Sequence, residues 1–220
     1  MVILIGLVLA ALWALVWSVY QRDMEQAFRH SAAGSRMAET AAPEHGGLGN
    51  DEAARRRGTA MHRMLQRLTE TVSPQAATGR DAMRESLRRE LVPGLDAEEF
   101  VRCWNEACAL LDEPALRPWF DSSQYDVARN EVAILFHTAG QEIYGIVDRI
   151  VLTGNDAVVI DYKTHAGVSS GNAAELAARY APQLRLYAAG VARLWPDRRI
   201  RAIVVFTALR SAVEISLASG

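Results

Sequence analysis

The spacing of apolar residues changes along the chain, from a helical period to the alternation and short apolar runs of strands. Met61, Leu65 and Leu68 recur at helical spacing in the first part of the chain. After about residue 130, short runs rich in valine and isoleucine take over, and these favour β-strands. The pattern therefore predicts helices first, then a group of strands, and then one more helix and strand.

Three helices are predicted before the strands. The first follows Thr59, which is a plausible N-cap directly after a glycine. The second covers residues Asp81–Leu91 and the third Ala97–Leu111, each with apolar residues on one face. Together they form an N-terminal helical region that packs beside the strands.

The predicted strands cover Glu131–Phe136, Glu142–Leu152 and Ala157–Lys163. The turns between them, at residues 138–140 and 153–156, are short enough for antiparallel neighbours. We therefore expect a three-stranded meander.

A helix and further strands are predicted after the meander. Proline is favoured in the first turn of a helix, so this helix is placed from Pro182 to Trp195. Ile200–Thr207 is another apolar strand, and Ala212–Ser216 is a short last one. The order αβββαβ makes an α/β domain with a mixed sheet.

The first 20 residues carry no charged side chain. About 20 apolar residues in a helix span the roughly 30 Å of a bilayer core. Trp17 and Tyr20 would lie at the interface, and Arg22 and Arg29 favour a cytoplasmic location for the rest of the chain. Residues 1–20 are therefore predicted to be a transmembrane helix. A buried helix, or the tail of a longer protein that starts upstream, is the alternative.

A linker is predicted over residues 21–54. Its sequence from Ser31 to Glu52 is rich in alanine, glycine, serine and glutamate and has no sustained apolar period. The folded domain is accordingly placed at residues 55–220.

Charge and cysteine content exclude several classes of protein. A net charge of −2 argues against a nucleic-acid binder that depends on bulk positive charge. The two cysteines, Cys103 and Cys108, lie on different faces of a predicted helix. They support neither a disulfide framework nor a four-cysteine iron–sulfur cluster. The sequence also lacks the G-x-x-x-x-G-K-[ST] nucleotide loop, so this chain is not an ATP-driven motor.

Two acidic residues and a lysine occur in the apolar strands. Alternation along a strand places Asp161 and Lys163 on one side and Tyr162 on the other. Asp148 lies in the preceding strand, and simple ion pairs with Arg149 and Lys163 are the alternative to a functional role. However, an unpaired carboxylate in an apolar strand is costly, and two neighbouring carboxylates favour a divalent cation. An ammonium beside them could hold a water or a phosphate.

Three motifs carry a resemblance to a known family. They are Gly145-Ile146-Val147-Asp148-Arg149, then Asp161-Tyr162-Lys163, then the helical pair Gln183 and Tyr187. In this order they resemble the RecB and AddA branch of the PD-(D/E)XK nucleases, and residues 57–62 upstream also match. The resemblance spans about residues 55–215 and implies a restriction-endonuclease-like fold.

The resemblance also implies roles for individual residues. Four groups would bind Mg²⁺ or Mn²⁺: His62, Asp148, Asp161 and the main-chain carbonyl of Tyr162. Lys163 would assist the attacking water. Glu131 would assist the metal or the water, although a surface glutamate is an equal alternative. Gln183 and Tyr187 would orient the site or touch DNA, with mere packing as the alternative.

These roles predict a metal-dependent deoxyribonuclease, an exonuclease acting on DNA ends in repair or recombination. RecB and AddA carry this domain behind a helicase, so a separate helicase subunit is an expected partner. The nuclease domain would be cytoplasmic and anchored to the inner face of the membrane. The competing hypothesis is a catalytically inactive DNA-binding or scaffold module tethered to a membrane. Loss of cleavage in Asp161→Ala and Lys163→Ala is expected for the enzyme.

Overall fold

The computed structural model describes residues 48–70, 77–92, 94–138, 141–165 and 167–217. The predicted transmembrane helix over residues 1–20 and most of the predicted linker lie outside these ranges. Among the described helices, none has the length and apolar character needed to cross a bilayer.

The helical region contains three longer helices and one short one. They are α1 (Leu48–Glu70), α2 (Ala77–Leu91), α3 (Ala97–Leu111) and α4 (Arg117–Phe120), and a 3-10 turn over Pro114–Leu116 leads into α4. The predicted bounds of α3 are confirmed. Its N-cap is Asp96, which accepts a hydrogen bond from the backbone N–H of Glu99 at 2.8 Å. The other two helices begin earlier than predicted.

Helix α1 continues through Gly58 and Thr59, so the prediction of Thr59 as its N-cap is wrong. The end of the predicted linker, residues 48–54, is helical as well. Arg57 explains why the helix persists, because its guanidinium reaches α3 and pairs with Glu99 and Glu106. These tertiary ion pairs offset the roughly 1 kcal/mol that a glycine costs inside a helix.

In the part of the chain that the structure describes, five strands form one mixed sheet. They are β1 (Val127–Thr138), β2 (Gln141–Thr153), β3 (Asp156–Lys163), β4 (Arg199–Phe206) and β5 (Ser211–Glu214). The order across the sheet is β1-β2-β3-β4-β5, and only the β3–β4 pair is parallel. Helix α5 (Ala173–Leu194) makes the crossover between β3 and β4. The predicted meander is confirmed, and the element order agrees with the predicted αβββαβ core.

Pro182 lies inside α5, so the predicted start of this helix is wrong. Helix α5 begins at Ala173, and its first turns are rich in alanine, the strongest helix former. Proline leaves the carbonyl four residues before it, that of Ala178, without its helical partner. Both Ala178 and Pro182 are exposed, so water can satisfy that carbonyl.

The sheet separates two apolar clusters. One lies under α1 to α4 and includes Val158, Ile160 and Tyr162, whereas the other lies under α5 and includes Ala157 and Val159. Strand β3 is thus buried on both faces, which is typical of a strand with a parallel neighbour. The predicted alternation is confirmed, since Tyr162 faces the α1 side while the other face continues toward Asp161 and Lys163.

Candidate metal centre

The alternation of side chains along β1 breaks at Glu131, opposite Asp148 on β2. Asn130 faces α1, yet Val132, two positions on, packs under α5. Glu131 between them has a φ of 50°, a conformation that residues other than glycine seldom adopt in a strand. The ladder pairs the residues on either side but does not pair Glu131 with Asp148. Two acidic residues therefore meet where the strand pairing is interrupted.

Asp148 also lies where β2 and β3 separate. Their ladder ends at the pair Arg149 and Ile160. One position further, Oδ2 of Asp148 accepts a hydrogen bond from the backbone N–H of Tyr162 at 2.7 Å. The carboxylate thus replaces a strand carbonyl as the acceptor, and this contact fixes its position between the two strands.

His62 on α1 bridges these strands. Its Nδ1 lies 3.3 Å from Oδ1 of Asp148, and its Nε2 lies 3.2 Å from the carbonyl oxygen of Tyr162. Burial disfavours the charged ring, but Asp148 outweighs it and raises the pKa of His62 to about 9. Asp148 thus favours a proton on His62, and a metal ion that binds an imidazole nitrogen must displace that proton.

Asp161 and Lys163 form a buried ion pair on the α5 side of β3. Nζ of Lys163 lies 2.9 Å from Oδ2 of Asp161 and 3.2 Å from Oδ1. Burial raises the pKa of Asp161 to about 6, against the attraction of Lys163 and with the repulsion of Asp148. Burial also opposes the charge of Lys163, but Asp161 outweighs it and the pKa of the lysine is raised. A simple ion pair between Asp161 and Lys163 was the alternative to a functional role in the sequence analysis, and the two side chains do form that pair.

Lys163 has a distinctive place in the composition. The 24 lysine and arginine residues of the chain include one lysine, and it is Lys163. An arginine would serve equally well as a solvated cation at the end of a strand. The other 23 of these residues are all arginines. An ammonium is a compact point charge with three donors, whereas a guanidinium is broad and planar. The composition thus favours a specific role for this amine over a solvated strand end.

Three of the candidate residues could hold a cation together. His62, Glu131 and Asp148 each offer one ligand atom, and these atoms all lie within 4.8 Å of one another. Burial, followed by the charge of Asp148, raises the pKa of Glu131, which indicates carboxylates in need of a counter-charge. Two carboxylates and an imidazole fit a divalent cation. Asp161, which the resemblance places among the ligands, lies outside this set of three; its carboxylate contacts Lys163, and its charge helps to raise the pKa of His62.

Gln183 and Tyr187 lie on the side of α5 that packs against β2. Nε2 of Gln183 donates to the hydroxyl of Tyr187 at 2.9 Å. A Cβ at Gly145 would clash with the Tyr187 ring, which is buried. Gly145, from the first of the three motifs, and Tyr187, from the last, therefore pack directly against each other.

Gly145→Ala should accordingly destabilise the protein. The added methyl group must displace the Tyr187 ring, and overpacking of this kind costs about 1–3 kcal/mol. Urea denaturation measures the change in the free energy of unfolding. Gly79→Ala on α2 is the matched control, because a Cβ there meets nothing within 4 Å and alanine favours the helix. Equal stability of both variants would contradict this explanation of Gly145.

Arg149 does not pair with Asp148, contrary to the simple ion pair that the sequence left open. It is fully buried, with 0% exposure, and points toward the α1 side of the sheet. It donates to the carbonyl of Trp119 at 3.1 Å, to Oδ1 of Asn130 at 2.8 Å and to the Tyr125 hydroxyl at 3.1 Å. Its guanidinium also lies 5.5 Å from the ring centroids of both Phe120 and Tyr125.

The Arg149 network extends to α1. Asn130 accepts from Arg149 and donates to the carbonyl of Gln66 and to the hydroxyl of Thr69. Arg149 is next to Asp148, Asn130 is next to Glu131, and Gln66 is one turn beyond His62. One partly buried set of hydrogen bonds thus joins the three segments that carry the candidate ligands.

Tyr180 and His165 were not identified from the sequence. The ring of Tyr180 lies 4.4 Å from Nζ of Lys163, and Nε2 of His165 contacts the Tyr180 hydroxyl. Tyr180 precedes Gln183 by three residues and Tyr187 by seven, which is the spacing of one helix face. That spacing was the available signal.

Comparisons with known proteins identify a family. A family model described as the PD-(D/E)XK nuclease superfamily matches residues 28–215. Two solved structures are similar at low identity. The crystal structure of SSO0001 is 16% identical, with 80% of each chain covered and a TM-score of 0.30. The structure of protein VC1899 from Vibrio cholerae is 12% identical, with 74% of this chain and 48% of that one covered and a TM-score of 0.28. No curated protein matches the chain.

Proposed function

The chain belongs to the PD-(D/E)XK nuclease superfamily, and from this membership we propose that it is a divalent-metal-dependent deoxyribonuclease. One observation carries the proposal. The only lysine of the chain contacts the buried carboxylate of Asp161, beside the cluster of His62, Glu131 and Asp148. A buried carboxylate with a raised pKa, next to a specific charged partner, is typical of functional sites.

The proposed metal ligands are the carboxylates and the imidazole at the junction of α1, β2 and β3. They are His62, Asp148, Asp161 and the main-chain carbonyl of Tyr162, with Glu131 as a further carboxylate close to His62 and Asp148. This mostly oxygen set suits Mg²⁺ or Mn²⁺. When bound, such an ion supplies a Lewis acid that polarises the phosphodiester and acidifies water.

Lys163 is proposed to hold the attacking water or a phosphate oxygen. Its ammonium has three N–H donors, and Asp161 accepts from one side only. The remaining donors can offset the negative charge that grows on the phosphate during attack. In the hydrolysis the water hydroxyl binds phosphorus, the bond from phosphorus to the leaving sugar oxygen breaks, and that oxygen takes the proton.

The substrate and setting are extensions of this proposal. The motifs G-x-x-D-R, D-Y-K and Q-x-x-x-Y support the RecB and AddA branch, and hence an exonuclease acting on DNA ends in repair or recombination with a separate helicase subunit. Residues 1–20 are proposed to anchor the nuclease domain to the cytoplasmic face of the membrane, through the linker that follows. Because α1 starts at Leu48, the domain is proposed to begin there rather than at residue 55.

The test uses the full-length chain, purified in detergent, with linear and circular DNA, both single-stranded and duplex, and with RNA. Cleavage of linear DNA with Mg²⁺ or Mn²⁺, its loss with EDTA and its recovery on re-addition of the ion are expected. Circular DNA should stay intact if the enzyme is an exonuclease. Before detergent is added, the full-length chain should sediment with the membrane fraction of a cell lysate if residues 1–20 anchor it. No cleavage with either ion would favour the inactive binding module, and a preference for RNA would contradict a deoxyribonuclease.

A further inference from the structure

Lys163 is held on two sides, and the second side is an aromatic ring. One contact is the ion pair with Asp161, at 2.9 Å. The other is the face of Tyr180 on α5, whose centroid lies 4.4 Å from Nζ. A cation over an aromatic face at this distance is attracted by the electrons of the ring. The lysine side chain is only 20% exposed, so this attraction is weakly screened by water.

Tyr180 has a second contact, at its hydroxyl. Nε2 of His165 contacts the Tyr180 hydroxyl, and the two ring centroids lie 5.8 Å apart. His165 follows Lys163 by two residues, so the two partners of Tyr180 come from the last residue of β3 and the segment directly after it. The tyrosine side chain therefore contacts the ammonium with its ring face and the imidazole with its hydroxyl.

The two contacts of Lys163 do not respond alike to a bound cation. Asp161 has one negative charge to share, and any cation that this carboxylate helps to hold weakens its attraction for Lys163. The Tyr180 ring binds no metal ion, so its contact with the ammonium persists. The ring is thus the contact that keeps the amine in place when the carboxylate is shared.

We propose that Tyr180 is a positioning residue for Lys163, and that its aromatic face holds the ammonium ready for a phosphate oxygen or the attacking water. The effect of Tyr180 on hydrolysis rests on the proposed nuclease function. Its effect on the exposure of the amine does not, because that effect follows from the contact between the ring and Nζ.

The test compares Tyr180→Leu with Tyr180→Phe in the full-length chain. Leucine removes the aromatic face and phenylalanine keeps it. Tyr180→Leu should lower kcat for DNA hydrolysis about tenfold, whereas Tyr180→Phe should stay within about twofold of the wild type. KM for DNA and the Mn²⁺ affinity, measured by calorimetric titration, should be unchanged in both variants.

A second readout does not need nuclease activity. Because the chain has one lysine, the modification of its ε-amine by an amine-directed reagent can be followed by mass spectrometry of the peptide that contains it. Because the Lys163 side chain is now 20% exposed, Tyr180→Leu should react faster, by up to about fivefold, and Tyr180→Phe should react at the wild-type rate. If the wild type hydrolyses no DNA, the proposed function fails while this comparison still decides the contact.

Three results would overturn the proposal. The first is a Tyr180→Leu variant with wild-type kcat and wild-type amine reactivity. The second is equal loss in the phenylalanine and leucine variants, because the hydroxyl and His165 would then be what matters. The third is a fall in Mn²⁺ affinity and melting temperature together with kcat in Tyr180→Leu, which would indicate a general structural role.

Discussion

Asp161→Asn is expected to lower the rate of DNA hydrolysis by about a thousandfold at saturating metal. Asparagine has the same shape and keeps one oxygen that can accept from Lys163, but it lacks the negative charge. Asp161 is only 4% exposed, and burial raises its pKa, so a charge here is unfavourable for folding alone. A buried carboxylate that costs stability is expected where function requires it. Initial rates on labelled linear DNA give the result.

The control for this variant is Asp156→Asn, at the other end of the same strand. Asp156 forms ion pairs with Arg199 and Arg201 and is remote from the candidate centre. It should therefore keep the wild-type rate. Melting curves should show that Asp161→Asn remains folded. Wild-type hydrolysis by Asp161→Asn would remove this residue from the proposed site.

Arg149→Met is expected to be the most destabilising of the substitutions considered, by about 3–5 kcal/mol. Methionine fills part of the space but removes all donors, so three partly buried acceptors, on Trp119, Asn130 and Tyr125, lose their partner. Each unpaired buried acceptor costs about 1–3 kcal/mol. The guanidinium also leaves its position between the rings of Phe120 and Tyr125. Urea denaturation followed by circular dichroism measures the loss.

An exposed arginine provides the comparison. Arg102→Met on α3 removes a surface ion pair with Glu98 and Glu99, and such pairs contribute little. Its midpoint of denaturation should match that of the wild type. A buried charge replaced by an apolar side chain can also leave a protein equally stable. Unchanged stability in Arg149→Met would therefore mean that the network around Arg149 does not hold the segments together.

Local patterns predicted those elements whose fold depends on neighbours in sequence. The third helix has an N-cap at Asp96 and a clear apolar face, and its bounds were correct. The apolar strands were predicted correctly because a strand that is buried on both faces consists of a continuous apolar run, such as Ala157–Ile160. Predictions failed where distant contacts decide the structure. No helix begins at Thr59, because α1 already runs through Gly58 and is paired with α3 through Arg57. No helix begins at Pro182 either, because the alanines before it are already helical.

The features of the candidate site likewise fall into those that local sequence patterns predict and those that distant contacts decide. Alternation along a strand was enough to place Asp161 and Lys163 together and Tyr162 on the other face. The bond from the Tyr162 N–H to Asp148 depends on the divergence of two strands, and the inward turn of Arg149 depends on the aromatic residues around α4. Neither this hydrogen bond nor the orientation of Arg149 produces a periodic pattern of residues in the sequence. Tyr180 was detectable by its helical spacing, but a tyrosine on an amphipathic helix has many explanations.

The reversal at Glu131 gives the first strand two phases of burial. Ala128 and Asn130 face α1, while Val132 and Ile134, at the same parity, face α5. A single phase throughout would send half of the strand's apolar side chains to the wrong layer. The acidic residues therefore stand at a boundary between two packing patterns, where neither layer requires an apolar side chain. A shift of this boundary by one residue would move the acidic side chains, and it would also change the packing of the β1–β2 hairpin.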